Sequence, residues 1–338
     1  MTKKKEHGVF YTRRSPFSRQ PFLDWLTAIP GLNARRLVEP FAGENGIPAM
    51  LAHLPNPWVA QDISRPKRNL RPDITVQVGD SLRAYPATSR EDVVITNPPY
   101  LAKNAAVRAG LAYPAAEEDD LYKVALRVML ERHDFVAAII PASFLTAEIH
   151  EDRIVAVDLM IGKYFDDTDH PTCLALFGPA AQRNWTVWRE GVLVGDIVRL
   201  RADRDEVIGR RAPGIRFNDT RGQIALLALD KPRGGLIQFG PADLVRDEEI
   251  KVSSRARTKI FIEGLANPEK IIEDANTILN EFRQKTGDVF LTPFRGLRED
   301  GDFRRRLDFR QAAAILGKAI EDDRLRETEG AEASGKQK

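Results

Sequence analysis

Asp92-Val93-Val94-Ile95-Thr96-Asn97-Pro98-Pro99-Tyr100 is the stretch on which the fold turns. Its first five residues form a short apolar run that reads as a buried strand. Two prolines in tandem cannot continue a sheet ladder, because neither has an N–H to donate. Asn97 and Pro98 each precede a proline, so both are held extended. The outcome is a stiff strand end carrying an amide side chain, a backbone carbonyl and an aromatic ring. Such a set can grip a planar amine.

Around this strand the first half alternates strand-like and helix-like segments, which predicts a mostly parallel sheet with helices on its faces. Strands are expected at Arg36–Phe41, Trp58–Ile63, Ile74–Asp80, Asp92–Thr96 and Phe135–Ile140. Helices are expected near Pro21–Thr27, Ile47–Leu54 and Leu121–Arg132. Glu117-Glu118-Asp119-Asp120 fits the first turn of the last of these, where negative charge meets the positive end of the dipole. Residues 101–116 show no clear period and read as a loop.

After about residue 180 the texture changes. Trp185–Val194 suggests a hairpin, and Pro268–Phe282 and Asp308–Ile320 look helical. Basic stretches occur at Arg210-Arg211, Arg255–Lys259 and Arg304-Arg305-Arg306. The tail 328–338 is small, polar and charged, and is expected to be disordered.

Composition narrows the class. The 338 residues are 43% hydrophobic and 30% charged, as in a soluble globular protein. No apolar stretch reaches membrane-spanning length, so no membrane partner is expected. Cys173 is the only cysteine, which rules out an internal disulfide and fits a reducing cytoplasm. The net charge of +2 means that a nucleic-acid partner would need local basic patches.

A series of polar groups is expected along one rim of the sheet. Leu37–Phe41 runs into a turn with Gly43 and Gly46, which lets backbone approach a ligand at a strand's carboxyl end. No Lys-Ser/Thr pair follows, and Glu39 would repel a pyrophosphate. A ligand bearing a positive amine suits the loop better. Asp62 ends the next strand, where a carboxylate can accept from ribose hydroxyls, and Asp80 ends the one after. Asp166, Asp167, Asp169 and His170 have no trusted metal-ligand spacing and read as a polar loop, so no metal is expected. Cys173 reads as core, and Ser143 lacks a nucleophile-elbow context.

Taken in order, His7-Gly8-Val9-Phe10-Tyr11-Thr12, Glu39-Pro40-Phe41-Ala42-Gly43, Asp62, Gly79-Asp80, Asn97-Pro98-Pro99-Tyr100 and Ile140-Pro141-Ala142-Ser143-Phe144-Leu145 resemble the DNA adenine-N6 methyltransferases. The cofactor loop precedes the catalytic loop and a long segment follows both, as in the gamma group. The likeness covers roughly residues 7–180. It implies a Rossmann-like methyltransferase fold, with a mostly parallel seven-stranded sheet, and a C-terminal DNA-recognition region. The implied division is 1–180 catalytic, 181–327 target recognition and 328–338 tail.

The resemblance also implies roles. Tyr11, Thr12, Glu39, Ala42, Gly43 and Gly46 would hold S-adenosylmethionine. Asp62 would take its ribose, and Asp80, with Ser81 beside it, its adenine amine. Asn97, Pro98 and Tyr100 would clamp the target adenine, with Tyr100 stacking on the flipped base. Phe165 stands where gamma enzymes carry a second aromatic, and Tyr164 is its alternative. Glu44-Asn45 departs from the commonest glycine pattern, and Arg13-Arg14 stands where a proline is usual. Arg255, Arg257 and Lys259 alternate, which in an extended segment puts them on one face for duplex DNA.

The enzyme so implied is a site-specific, adenine-specific DNA methyltransferase, in a bacterial or phage-encoded restriction-modification system or alone, with any cognate nuclease encoded separately. Two other readings stay open: an RNA or protein-glutamine N-methyltransferase, and a catalytically inactive nucleic-acid-binding module. Glutamine-modifying enzymes usually carry a helical domain ahead of the cofactor loop, and here the extra mass follows the core instead.

Overall fold

The computed structural model describes residues 15–161, 164, 170–208 and 214–335. The chain divides into two compact units, Met1–Asp196 and Ile197–Lys338.

The first unit is built on a nine-stranded sheet: β1 Leu37–Glu39, β2 Trp58–Asp62, β3 Val76–Val78, β4 Val93–Thr96, β5 Phe135–Pro141, β6 Ile154–Met160, β7 Thr172–Phe177, β8 Thr186–Arg189 and β9 Val192–Asp196. Their spatial order is β3-β2-β1-β4-β5-β7-β6-β8-β9. Strands β3 through β5 run parallel, and β7 is antiparallel to both β5 and β6. The expected mostly parallel sheet is therefore present, but with nine strands rather than seven. The predicted hairpin supplies the extra two: β8 pairs with β6, and β9 with β8. That pairing carries the first unit past residue 180 to Asp196.

The buried centre explains the apolar runs. Every residue of β4 and of β7 is buried, as expected for strands covered on both faces. Cys173 lies within β7 as core, and burial pushes its thiol well up from the usual range. Helix α1, Gln20–Thr27, buries Phe22, Trp25 and Leu26 on one face, and the Trp25 indole N–H donates to the Phe177 carbonyl at 2.9 Å. Helix α2, Gly46–Met50, stops short of the expected Leu54, with Leu51 as its C-cap.

Residues 101–116 are not all loop. They contain α3, Lys103–Arg108, of which only Ala106 is buried. One buried side chain gives no amphipathic period, so alanine propensity alone marked this helix. Helix α4 spans Leu121–Arg132, as predicted. Its acids sit differently, however. Asp120 is the N-cap and accepts from the Tyr122 N–H, while Glu118 and Asp119 precede the helix and pair with Arg127 and Lys123.

The second unit begins with α5, Ile197–Val207. It contains an antiparallel sheet of β10 Ile215–Phe217, β11 Ile224–Leu227, β12 Gln238–Pro241 and β13 Arg257–Ile262, in the order β10-β13-β11-β12. Helix α6, Pro268–Thr286, buries Ile271, Ala275, Ile278, Leu279 and Phe282 along one stripe. Asn267 caps its start, Pro268 opens it and Gly287 closes it with φ 56°, so that it ends four residues beyond the expected Phe282. Strands β14 Thr292–Leu297 and β15 Phe303–Arg306 form a hairpin. Helix α7, Phe309–Gly335, continues into the stretch expected to be disordered, where Ala331 and Ala333 favour helix. Among the described residues no helix is long and apolar enough to cross a membrane.

Candidate functional site

Four adjacent parallel strands end together, and each delivers a polar group to the same rim. Glu39 closes β1, Asp62 closes β2, Asp80 follows β3 and Asn97 follows β4. The carboxyl ends of such strands are where open α/β sheets bind ligands.

Glu39 is 1% exposed. One of its oxygens accepts from the Phe41 N–H at 3.0 Å and the Thr96 hydroxyl at 2.5 Å. Burial pushes its pKa up to about 8; these two donors oppose the rise, and the Asp62 charge adds to it. Thr96 was not among the sequence candidates. A threonine closing an otherwise apolar run, beside a strand that ends in a buried acid, is the signal for it.

The glycine turn is held from the next strand. Asp62 accepts from the Gly43 N–H at 2.8 Å with one oxygen, and from the Ser64 N–H at 3.0 Å and hydroxyl at 3.2 Å with the other. Gly43 has φ 52°, the left-handed conformation that favours glycine. Asn45 also has positive φ, at 60°, and is buried. Its amide donates to Asn69 at 2.9 Å and to the Ile74 carbonyl at 3.1 Å, so the departure from the glycine pattern is stabilised by a side chain that tolerates this backbone. A side chain at Gly46 would meet no atom within 4 Å, so the space beside the start of α2 is open.

Ser81 ties the third strand to the first. Its hydroxyl donates to the Pro40 carbonyl at 2.5 Å and accepts from Gln61 at 2.9 Å. Asp80 caps its own turn through the Leu82 N–H at 3.0 Å. Ser81 is buried, and its contacts position the loop rather than face outward.

At the end of β4 the ring of Tyr100 is largely buried, at 9% exposure. Its hydroxyl lies 2.7 Å from the Ile139 carbonyl and also meets the side-chain amide of Asn97. Asp120 accepts from the Leu101 N–H at 3.1 Å, fixing the chain that leaves Tyr100 against the start of α4.

The other candidates divide. Tyr11, Thr12 and Phe165 lie outside the described residues, as do Asp166, Asp167, Asp169, Arg210 and Arg211. Tyr164, the alternative to Phe165, is buried, with its hydroxyl held by both Glu190 oxygens at 2.9 Å and by Arg19. That ring is occupied inside the fold and is not offered to a base. Among the described residues no group of acids, histidines and cysteines is arranged to hold a metal.

In the second unit Arg257 and Lys259 share one face of β13, as their alternation predicts. Arg255 precedes the strand, with its guanidinium 5.2 Å from the Phe309 ring centroid. Acids stand opposite the two strand cations: Glu249 is 2.8 Å from Arg257, and Asp247 is 2.5 Å from Lys259. Of the other basic run, Arg305 is only 1% exposed and pairs with Asp302. Strand alternation turns that middle arginine inward, so it is no phosphate contact.

No family model matches the chain, and no curated protein does. Solved structures give partial alignments. The methyltransferase subunit of a type I restriction-modification system from Streptococcus thermophilus aligns at 16% identity over 54% of this chain and 48% of that one, with TM-score 0.38. The M protein of the type I restriction enzyme EcoKI aligns at 12% identity over 46% and 44%, with TM-score 0.34. The DrdV–DNA complex aligns at 14% identity over 55% and 28%, with TM-score 0.41. The chain thus spans less than half the length of each.

Proposed function

We propose that the protein is an S-adenosylmethionine-dependent methyltransferase acting on adenine N6 in duplex DNA. The observation that carries this reading is the single rim: Glu39, Asp62, Asp80 and Asn97-Pro98-Pro99-Tyr100 lie at the ends of four neighbouring parallel strands. Acids and a glycine turn stand on one side, and an amide and a proline carbonyl on the other.

The residues fit such a cofactor. A Cβ placed at Gly46 would meet no atom within 4 Å, and a cationic ligand beside the loop would favour loss of the proton that burial keeps on Glu39. Asp62 retains acceptor capacity for ribose hydroxyls beyond its bonds to Gly43 and Ser64, since a carboxylate offers about four lone-pair sites. Asp80 would accept from an exocyclic amine. When bound, the cofactor supplies an electrophilic methyl group on a sulfonium.

Adenine N6 is a poor nucleophile because its lone pair is delocalised into the ring. The Asn97 side-chain oxygen and the Pro98 carbonyl would accept its two N–H bonds. Positive charge developing on nitrogen is then stabilised, and the nitrogen can approach tetrahedral geometry. The nitrogen–carbon bond forms as the sulfur–carbon bond breaks, and the surplus proton leaves the nitrogen. This is preorganised electrostatic catalysis of a direct transfer. Taking the base out of the duplex costs a few kcal/mol, and stacking returns about 1–3 kcal/mol. DNA contacts elsewhere must contribute, and Arg255, Arg257 and Lys259 are the proposed source.

An assay with labelled cofactor on duplex DNA, RNA and protein tests the reading. Transfer to adenine in duplex DNA is the expected result. Transfer only to RNA or to protein glutamine would replace the substrate, and cofactor binding without transfer to any of the three would point to an inactive module.

A further inference from the structure

The loop that leaves β2 carries charge that no group of the fold answers. It runs Ile63-Ser64-Arg65-Pro66-Lys67-Arg68-Asn69-Leu70-Arg71 and contains four cations and no acid. Both of its ends are fastened to the rim. At the start, Ser64 donates its N–H and its hydroxyl to Asp62. At the far end, the Leu70 N–H donates to the Glu44 carbonyl at 2.9 Å, and the Asn69 side chain accepts from Asn45 at 2.9 Å. Arg71 donates to the Pro48 carbonyl at 3.0 Å and pairs with Asp73 at 2.6 Å. Between these anchors Arg65, Lys67 and Arg68 are exposed. Among the described residues none of the three has an ion pair or a side-chain hydrogen bond. Asp62, the nearest acid along the chain, directs its oxygens to Gly43 and Ser64 instead. The loop is also stiff, because Pro66 fixes its own φ and holds Arg65 extended.

We propose that Arg65, Lys67 and Arg68 form a contact for the phosphate backbone of duplex DNA, on the first unit itself and at the carboxyl end of β2. The inference rests on the proposed function for the identity of the polynucleotide, and on the loop alone for its charge. Residues 65–68 span at most about 11 Å of chain. One strand of a duplex advances about 3.4 Å per phosphate, so about three phosphates lie over that length. Three cations on a loop already fixed at both ends can meet them with little ordering cost. All three are exposed, which suits a running backbone rather than a single enclosed anion. The β13 cations differ. Glu249 and Asp247 already stand 2.8 and 2.5 Å from Arg257 and Lys259, so a phosphate there must displace an acid.

The test is the full chain carrying Arg65→Gln, Lys67→Gln and Arg68→Gln together. Binding of a short, fluorescently labelled DNA duplex is followed by anisotropy over a range of salt, with no cofactor present. The slope of log affinity against log salt should fall by about 2.7, and affinity at about 0.1 M salt should drop by about a hundredfold. The melting temperature should not move, since the three side chains make no hydrogen bond or ion pair within the fold. The single changes should each lower the slope by about 0.9, which keeps the test decisive should the triple variant fail to fold. Unchanged affinity and slope would overturn the proposal, whatever the protein's catalysis, and so would a failure of the unaltered protein to bind the duplex. Saturable binding of inorganic phosphate, displacing the duplex beyond the effect of chloride at equal ionic strength, would also overturn it, because it would mark a single-anion site. If the unaltered protein binds the duplex through this loop but transfers no methyl group to it, the contact stands and the methyltransferase reading falls.

Discussion

The rim of the first unit and the basic face of the second present opposite relations between sequence and charge. At the rim, Glu39 and Asp62 are matched by groups a strand away, Thr96 and the Gly43 backbone, and Asn97 by Tyr100 three residues on. The acids there serve local geometry, and their positions follow from strand ends. On β13 the cations are matched by acids 8 and 12 residues earlier in the chain. A count of basic residues therefore overstates the positive field on that face. Polar groups at strand ends are constrained by backbone, whereas surface charges are constrained only by whatever folds over them.

The comparison can be broken first at its strongest point. Asn97→Ala should reduce methyl transfer by about a hundredfold or more while cofactor binding by calorimetry persists. Loss of cofactor binding would move Asn97 to the other half of the rim. In the second unit, Arg305→Ala should lower stability by about 3 kcal/mol in chemical denaturation, because Asp302 loses a buried partner. A melt like that of the unaltered protein would mean that Arg305 is not the core residue its burial indicates.

Charge reversal at Arg255 and Arg257 should weaken DNA binding and reduce the slope of log affinity against log salt by about two. If neither quantity moves, β13 is a solvated surface. A further test concerns Glu39. Its folded pKa of about 8 lies above the ordinary 4.5, so between these values the folded state binds the extra proton. Its contribution is therefore fully present below about 4.5 and is lost as pH rises toward 8. Glu39→Gln should flatten that part of the stability–pH curve. An unchanged curve would place the titration elsewhere.

The sequence made the sheet legible where residues were forced. Val93-Val94-Ile95-Thr96 is apolar because both faces are covered, and Leu121–Arg132 is bounded by its Asp120 cap and the extended backbone at His133. Helix α3 escaped because its one buried residue leaves no period. The hairpin at 186–196 was visible, but its pairing with β6 was not, since register across long loops leaves no local mark. At the site, the acids and the Asn-Pro-Pro-Tyr end could be read directly. Their partners could not, because Thr96, Gln61 and Asn45 acquire meaning only from groups brought alongside by folding. Burial of Arg305 was hidden for a related reason: a run of three arginines conceals strand alternation.

The hydroxyl bond between Thr96 and Glu39 has a consequence for how two ligands sense one another. Thr96 is the immediate neighbour of Asn97, and Glu39 leads into the glycine turn two strand ends wide. On the proposed reading, donor pocket and acceptor clamp thus share a common hinge pin. Whatever shifts the carboxyl on one side is felt through a single peptide unit on the other. Any coupling carried by this pin must be reciprocal: the factor by which DNA alters cofactor affinity equals the factor by which cofactor alters DNA affinity. Thr96→Val removes the pin while leaving the Glu39 and Asn97 side chains in place.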